Sequence, residues 1–266
     1  MPIITISRGS YSRGKEVAEK LAQALNYEVI SRGLILEASE KFNIPEIKMV
    51  RAVHDAPSIL DRFTFGKEIY IAFFRSILLK HVQKDNVVYH GLGGHFFLKG
   101  IPHVLKVRIQ ADIEDRVMAE MKREGISAEK ARFILKKDDD ERRKWSLSLY
   151  GVDTSDPNLY DVVLSIKKLT VDDAVDILLH AAKLPCFQAT PESKKILDDM
   201  VLASQAEVSL VKKYPNVAVS SKDGDIFVNV KTSIDSESEI IGDIQAVVGK
   251  LEGVKDIKVS VMPLRG

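Results

Sequence analysis

Short apolar runs alternate with longer amphipathic stretches along most of the chain. Ile3 to Ile6, in PIITI, form a β-branched run and predict a buried strand. A glycine-containing loop follows, and then KEVAEKLAQAL sets Val17, Leu21, Ala24 and Leu25 on one helical face. YEVIS predicts a second strand and GLILEASEKF a second helix, while Pro45 and Pro57 break IPEIKMVRAVHDAPSILDRF into short helices. A helical pattern runs from Lys67 to Lys84, NVVYHG is a strand ending in a glycine turn, and HVLKVRIQA is a further clear strand. DIEDRVMAEMKREG reads as a helix closed by Gly125, and ISAEKARFILKKDDDERRKWSLSLYG as a charged helical stretch. DVVLSI is another strand, and TVDDAVDILLHAAKL a helix with Thr170 as its N-cap.

Apolar strands alternating with helices predict an α/β fold: a parallel sheet flanked by helices. Ligands on such sheets sit beyond the carboxyl ends of the strands, and the glycine loop falls at that edge. After Leu184 the pattern changes. PCFQATPES, with two prolines, reads as a linker. The stretch TPESKKILDDMVLASQAEVSLVKKYP is helical, VAVSSKDGDIFVNVKT gives two strands around a turn, SEIIGDIQAVVGKLEGV is a helix ending at Gly253, and DIKVSVMPL is a last strand. The expected organisation is a domain over 1–184 and a small α+β domain over 190–264.

Composition narrows the function classes. Of 266 residues, 45% are hydrophobic and 29% charged, an ordinary globular mix with enough apolar material for large cores. The formal net charge is +1, so no bulk field argues for a nucleic-acid partner. The one cysteine, Cys186, excludes an internal disulfide framework and reads as a plain free thiol. The sequence shows no basic leader with an apolar run behind it and no bilayer-length apolar segment, so the expected compartment is the cytoplasm and no membrane partner is expected. The oligomeric state is open, a homo-oligomer among the assemblies allowed.

The loop carries the chemistry. GSYSRGKE has the spacing G-x-x-x-x-G-K of a phosphate-binding loop and sits between a strand and a helix. Glycines let consecutive backbone N–H groups face phosphate oxygens, the helix dipole adds to them, and the lysine adds a point charge. Gly9, Gly14 and Lys15 meet those needs, and Arg13 offers a fork that fits phosphate. Glu16 stands where a magnesium-binding hydroxyl is usual. The alternative is a plain strand-to-helix turn with Lys15 solvated. DDDERRKW, taken alone, fits a solvated helix with intrahelical ion pairs. His90 and His95 flank the glycine turn at a strand end and read best as packed or hydrogen-bonded histidines.

Beyond these features, the segment from about Met1 to Leu184 resembles the cytidylate-kinase-like group of P-loop nucleoside monophosphate kinases. ITISR, Gly14, Lys15, Glu16 and Val17 match its opening, in which glutamate is common after the lysine. ADIEDRVMAEMKREGISAEKARFILKKDDDERRKW resembles its helix and mobile lid, and LYGVDTSDPNLYDVVLSIKKLTVDDAVDIL its closing segment, with Asp156, Pro157, Tyr160 and Asp161 in place. The resemblance implies ATP and Mg²⁺ as cofactors and a nucleotide or similar acceptor. It implies Lys15, Arg142 and Arg143 as catalytic residues and Gly9, Ser10, Ser12, Arg13, Gly14, Lys15 and Glu16 as the cofactor-binding loop, with Ser12, water or a carboxylate elsewhere as magnesium ligand. Arg32, Arg132 and Asp156 are implied as substrate-binding residues. Four positions depart from the group: Tyr11 and Arg13 stand for small glycines, Ser31 for an aspartate, and Leu92, in NVVYHGLGG, for an arginine that helps grip the acceptor. The departures leave open a second reading, a nucleotide-binding sensor that has lost transfer. The C-terminal module, from DGDIFVNVKT to LEGVKDIKVSV, resembles a BON domain, a small module linked to phospholipid or ligand binding.

Overall fold

The computed structural model describes residues 2–10, 12–31, 33–43, 66–91, 93–232 and 237–263. In chain order the elements are β1 (Ile3–Arg8), α1 (Gly14–Leu25), β2 (Glu28–Ile30), α2 (Gly33–Phe42), α3 (Gly66–Val82), β3 (Val87–His90) and α4 (Gly94–Phe97). There follow β4 (Val104–Ala111), α5 (Ile113–Glu124), α6 (Ala128–Tyr150), β5 (Val162–Ile166) and α7 (Val171–Ala182). The chain closes with α8 (Pro191–Leu210), β6 (Ala218–Lys222), β7 (Asp225–Thr232), α9 (Glu237–Val248) and β8 (Asp256–Pro263). The short helices expected between Pro45 and Pro57 lie outside the described residues.

Strands β1 to β5 form one sheet in the order β2-β3-β1-β4-β5, and every pairing is parallel. Successive strand residues point to opposite faces, and here both faces are apolar, as a sheet covered twice requires. Ile4, Ile6, Val88, Leu105, Val107 and Ile109 pack with α1 and α7 on one side. Ile3, Val87 and Tyr89 pack with α2, α3, Trp145 of α6 and Leu197 and Val201 of α8 on the other. On α1 the buried face is Val17, Ala18, Leu21 and Ala22, with Ala24 exposed. The helix turns its true apolar stripe slightly from the one expected, because alanines at two positions fit close against the sheet.

Helix ends follow local chemistry. Gly125 closes α5 in the left-handed conformation, and Thr170 opens α7 in a reciprocal capping box with Asp173. The linker expected over PCFQATPES is shorter in fact: Pro185–Phe187 is one 3₁₀ turn, and Thr190 already caps α8. β6 and β7 pair antiparallel around Asp223 and Gly224, both at positive φ, and β7 pairs parallel with β8. The last helix ends at Val248 and not at Gly253, which takes φ 91° in the turn that follows. A third core joins Ile226, Val228, Val230, Ile244 and Val248 to Ala206 and Leu210 of α8 and to Ala72 and Phe73 of α3. Among the described residues, no helix is long and apolar enough to cross a membrane.

Candidate active site

The chain leaves β1 at Arg8 and turns into α1 through the glycine loop. Ser12 N–H donates to the Gly9 carbonyl at 3.4 Å, and Arg13 enters the helix at φ 61°. A Cβ on Gly14 would stand 2.7 Å from Cβ of Arg8 and 3.3 Å from Cβ of Ile109. Both atoms are fixed to backbone, so the close approach of α1 to the sheet needs a glycine there. Asp112, Ser127, Thr170 and Thr190 cap other helices, but among the described residues no side chain caps the first N–H groups of α1. Those groups are left for an outside acceptor, which a phosphate oxygen fits.

The side chains of the loop divide into two sets. Arg13 donates through Nε and Nη2 to the Glu16 carboxylate at 3.0 and 3.1 Å, so the two charges offset one another at the helix start. Lys15 is largely exposed and lies 3.6 Å from Glu19, a weak surface pair that leaves it able to swing. Ser10 and Ser12 are buried. Ser10 donates to Asp138 at 3.0 Å, and the Ser12 hydroxyl lies 3.0 Å from the Gly9 carbonyl oxygen and 3.2 Å from that of Ile109. Ser12 thus faces backbone oxygens and ties the loop to β4. Tyr11 lies outside the described residues.

Beyond the ends of β1, β3 and β4 opens a cleft of about 280 Å³, where the strand order turns outward in both directions from β1. Five arginines line it, Arg8, Arg108, Arg116, Arg142 and Arg143, against three aspartates, Asp139, Asp140 and Asp153, which leaves two positive charges in excess. Four different elements supply the arginines. Arg116 is buried, donates from Nε to the Ser10 carbonyl at 2.7 Å, and pairs with Asp139 at 2.8 Å. Arg142 donates to the Arg8 carbonyl at 2.8 Å; burial first, and the neighbouring Arg8 charge second, pull its pKa down from the ordinary arginine value. It remains charged at neutral pH all the same. Arg143 is more exposed and pairs with Asp153 at 2.9 Å.

Under the arginines lies a polar floor centred on Tyr160. Its hydroxyl is 3.1 Å from the Ser7 hydroxyl, 3.1 Å from that of Thr154, 2.8 Å from the Thr154 carbonyl oxygen and 3.3 Å from Arg108 Nη1. Arg108 also donates to the Thr154 carbonyl at 2.7 Å, and its guanidinium lies over the Tyr160 ring. His95 Nε2 sits 3.4 Å from the same hydroxyl. Both histidines of the strand-end turn are buried. Burial, then Arg8, lowers the His90 pKa to about 4; burial, then Arg108, lowers that of His95 to about 3. Both stay neutral in the fold while free histidine titrates near ~6.5, so the unfolded chain takes up protons first as pH falls. Their contribution is complete above about 6.5 and is lost as pH falls toward 4 and 3. Urea unfolding across that window is expected to show falling stability, with a shallower slope for His95→Gln. An identical slope in the variant would assign the loss to other groups.

Arg132 is held away from the cleft, with two bonds of 2.6 Å to the Glu114 carboxylate. Asp156 caps the 3₁₀ turn at Pro157–Leu159 by accepting from Asn158 N–H at 2.9 Å. Arg32 and Leu92 lie outside the described residues. Of the cleft arginines, sequence reading assigned no site role to Arg8, Arg108 or Arg116, although Arg8 stands inside the ITISR opening. Arg108 had a signal: it is a cation inside an apolar strand, at a position sharing a sheet face with Lys106. Arg116 had none, since DIEDRV reads equally well as a solvated first turn.

A glycine loop feeding an uncapped helix, at the carboxyl edge of a five-stranded parallel sheet and facing a cluster of arginines, defines a nucleotide-binding fold of the P-loop kinase type. The sequence pattern of the cytidylate kinase-like family matches residues 3–168, and the chain belongs to that family. Among its relatives, the cytidylate kinase of Sulfolobus acidocaldarius is 27% identical over 177 residues, covering 66% of this chain and 91% of the relative. The cytidylate kinase of Pyrococcus horikoshii is 29% identical over 182 residues, covering 67% and 87%. A solved structure, an uncharacterized protein from Eubacterium ventriosum, superposes with a TM-score of 0.53 at 22% identity, covering 68% of this chain and 98% of that one, and so shares its fold.

Proposed function

We propose that the protein is a phosphotransferase of the nucleoside monophosphate kinase type, moving a phosphoryl group from ATP to a nucleotide or similar acceptor. The observation that carries this reading is the convergence of five arginines from four elements on the cleft beside the glycine loop. Phosphoryl transfer is mostly positioning and charge neutralisation, and this arrangement supplies both. In the proposal the loop N–H groups and Lys15 hold the donor phosphates. Arg142, preset by its bond to the Arg8 carbonyl, faces the charge that develops on the moving group. Arg143 leaves Asp153 to join it, and Arg108 meets the acceptor's anion from the cleft floor.

The described residues hold no group of three or more carboxylates, histidines or cysteines able to cage a metal. Asp139 and Asp153 are engaged with Arg116 and Arg143, Ser12 faces carbonyls, and Glu16 is bound by Arg13. Asp140, on the cleft, has no side-chain partner among the described residues. The donor set therefore fits a magnesium ion that arrives on nucleotide phosphates with Asp140 as its protein carboxylate, the usual manner for this ion. When bound, the ion supplies further neutralisation of phosphate charge.

The test is ADP release from Mg-ATP with a panel of nucleoside monophosphates. Turnover with at least one acceptor is expected. ATP binding without turnover on any acceptor would leave the sensor reading in its place. For the acceptor side, Arg108→Ala is expected to lower kcat/KM for the acceptor by about tenfold to a hundredfold, as loss of a charge-assisted bond does, with the KM for ATP little changed. An ATP-side defect instead would move Arg108 to the donor phosphates. For residues 190–264 we propose a ligand-binding module of BON-like type that shares helix α8 with the first core, supported by the change of sequence pattern there and by its own three-stranded sheet.

A further inference from the structure

Helix α6 is bonded to the glycine loop through polar side chains. The Ser10 hydroxyl donates to the Asp138 carboxylate at 3.0 Å. Arg116 presents its fork to the next residue, Asp139, with Nη1 and Nη2 at 2.8 and 3.0 Å from the two carboxylate oxygens. Its Nε donates to the Ser10 carbonyl at 2.7 Å. A Cβ on Gly9 would lie 3.5 Å from the guanidinium carbon of Arg116, so the loop backbone runs directly against this ion pair. Gly9, Arg116 and Asp139 all line the arginine cleft.

Ser10 and Arg116 are the kind of partner a phosphate group takes. A serine hydroxyl and an arginine fork bond phosphate oxygens as well as carboxylate oxygens. Asp139 is partly exposed, whereas Arg116 is buried, so the carboxylate is the exchangeable member of the pair. The packing of α6 permits the exchange. Ala131 and Leu135 pack with Val117 of α5 in a small core of their own, and Trp145 is buried in the core shared with α2 and α3. Between Leu135 and Trp145 no residue of the helix is buried. The stretch across Asp138 and Asp139 is therefore held by these bonds and not by apolar burial, and segments of that kind open at low free energy.

We propose that Asp138 and Asp139 are internal competitors of the donor phosphates: they hold Ser10 and Arg116 until a polyphosphate displaces them, and the displacement loosens the part of α6 that carries them. Arg142, bonded to the Arg8 carbonyl farther along the helix, keeps its place. The competition takes place at the donor-phosphate site of the proposed kinase and so rests on that reading, but it concerns binding and not transfer. Its effect on affinity has a fixed sign. A protein whose binding-competent form is only a fraction of the population binds more weakly by that fraction, so removal of the competitor tightens binding.

The experiment uses the full chain with Asp138→Ala, Asp139→Asn and, as a charge control, Asp115→Asn at the exposed neighbour of Arg116. Inorganic triphosphate is titrated calorimetrically in magnesium-free buffer, so that loss of a carboxylate cannot act through a metal ion. Asp139→Asn is expected to bind about tenfold more tightly than the wild type and Asp138→Ala about threefold, with Asp115→Asn within about twofold. Hydrogen exchange on the wild type, with and without triphosphate, is the second measurement and needs no variant to fold. Faster exchange across residues 136–141 on addition of triphosphate is expected, against slower exchange at the start of α1. Unchanged or weaker binding in both Asp138→Ala and Asp139→Asn would overturn the proposal, and so would slower exchange on that stretch of α6. Equal tightening in Asp115→Asn would assign the effect to the general field of the cleft and overturn it as well. No triphosphate binding by any of these proteins would remove both the competition and the donor site of the kinase reading. Tighter binding in the two variants with no turnover on any acceptor would remove the kinase reading and leave the competition standing; turnover with affinities unchanged would do the reverse.

Discussion

Replacement of Arg142 by alanine is expected to lower kcat by about a hundredfold to a thousandfold, the scale measured when one preorganised donor to a developing charge is lost. The side chain has the properties the role requires. It lines the cleft, it is largely withdrawn from solvent, and it is aimed by a 2.8 Å bond to the Arg8 carbonyl, a group that itself belongs to the end of β1. Low local dielectric makes such a charge more effective than one in water, and its fixed position removes the need to reorganise during the reaction. Lysine at 142 is expected to recover little. An ammonium has three donors but no planar fork, so it cannot hold the Arg8 carbonyl and also present a coplanar pair of N–H groups to a phosphate. Arg143→Ala is expected to act more weakly, because Arg143 is solvated and spends the resting state on Asp153. Steady-state kinetics with a urea unfolding curve for each variant separates transfer from folding, since the abandoned Arg8 carbonyl costs about 1–3 kcal/mol if buried without a partner. A folded Arg142→Ala protein with wild-type kcat would take this residue out of the transfer step.

The sheet was legible because its strands are short apolar runs between amphipathic helices, and that pattern has few physical solutions. The loop was legible because glycine spacing reports backbone geometry, and Gly14 is needed for the contact of α1 with Arg8 and Ile109. What could not be read was partnership across the chain. Arg116 against Asp139 and Arg143 against Asp153 are ion pairs between separate elements, and no local spacing announces them. Arg132 shows the converse: an arginine in the right stretch of sequence that the fold gives to Glu114 instead. Glu16 stands in sequence where a magnesium-binding hydroxyl is usual, though glutamate is common there in the group it resembles; in the fold it pairs with Arg13 at the helix start and has Lys20 at 3.9 Å. The docking of α8 was hidden for a further reason. Its apolar residues face two cores, one built by the first sheet and one by the second, so its stripe is broad and does not say which sheet it serves.

Lys15→Ala and Gly14→Ala, taken as a pair, are expected to abolish nucleotide binding by different routes. Lys15 is exposed and makes only a long surface pair with Glu19, so its truncation leaves stability within about 0.5 kcal/mol of the wild type. It removes an exposed, loosely held cation at the start of α1, and ATP affinity is expected to drop about a hundredfold, as loss of a charge-assisted phosphate contact implies. Gly14→Ala keeps that lysine and forces a methyl group to 2.7 Å from Cβ of Arg8. Neither Arg8 Cβ nor Ile109 Cβ can retreat without its strand, so the helix start must move, at about 1–3 kcal/mol of stability. That movement displaces the uncapped N–H groups that the phosphates need, and it drags on Arg8, whose carbonyl aims Arg142. Calorimetric titration with ATP, beside thermal unfolding without ligand, distinguishes the two. Lost binding with unchanged unfolding is expected for Lys15→Ala, and lost binding with earlier unfolding for Gly14→Ala. If Lys15→Ala bound ATP as the wild type does, the loop would be a strand-to-helix turn and the phosphates would belong to the arginine cleft alone.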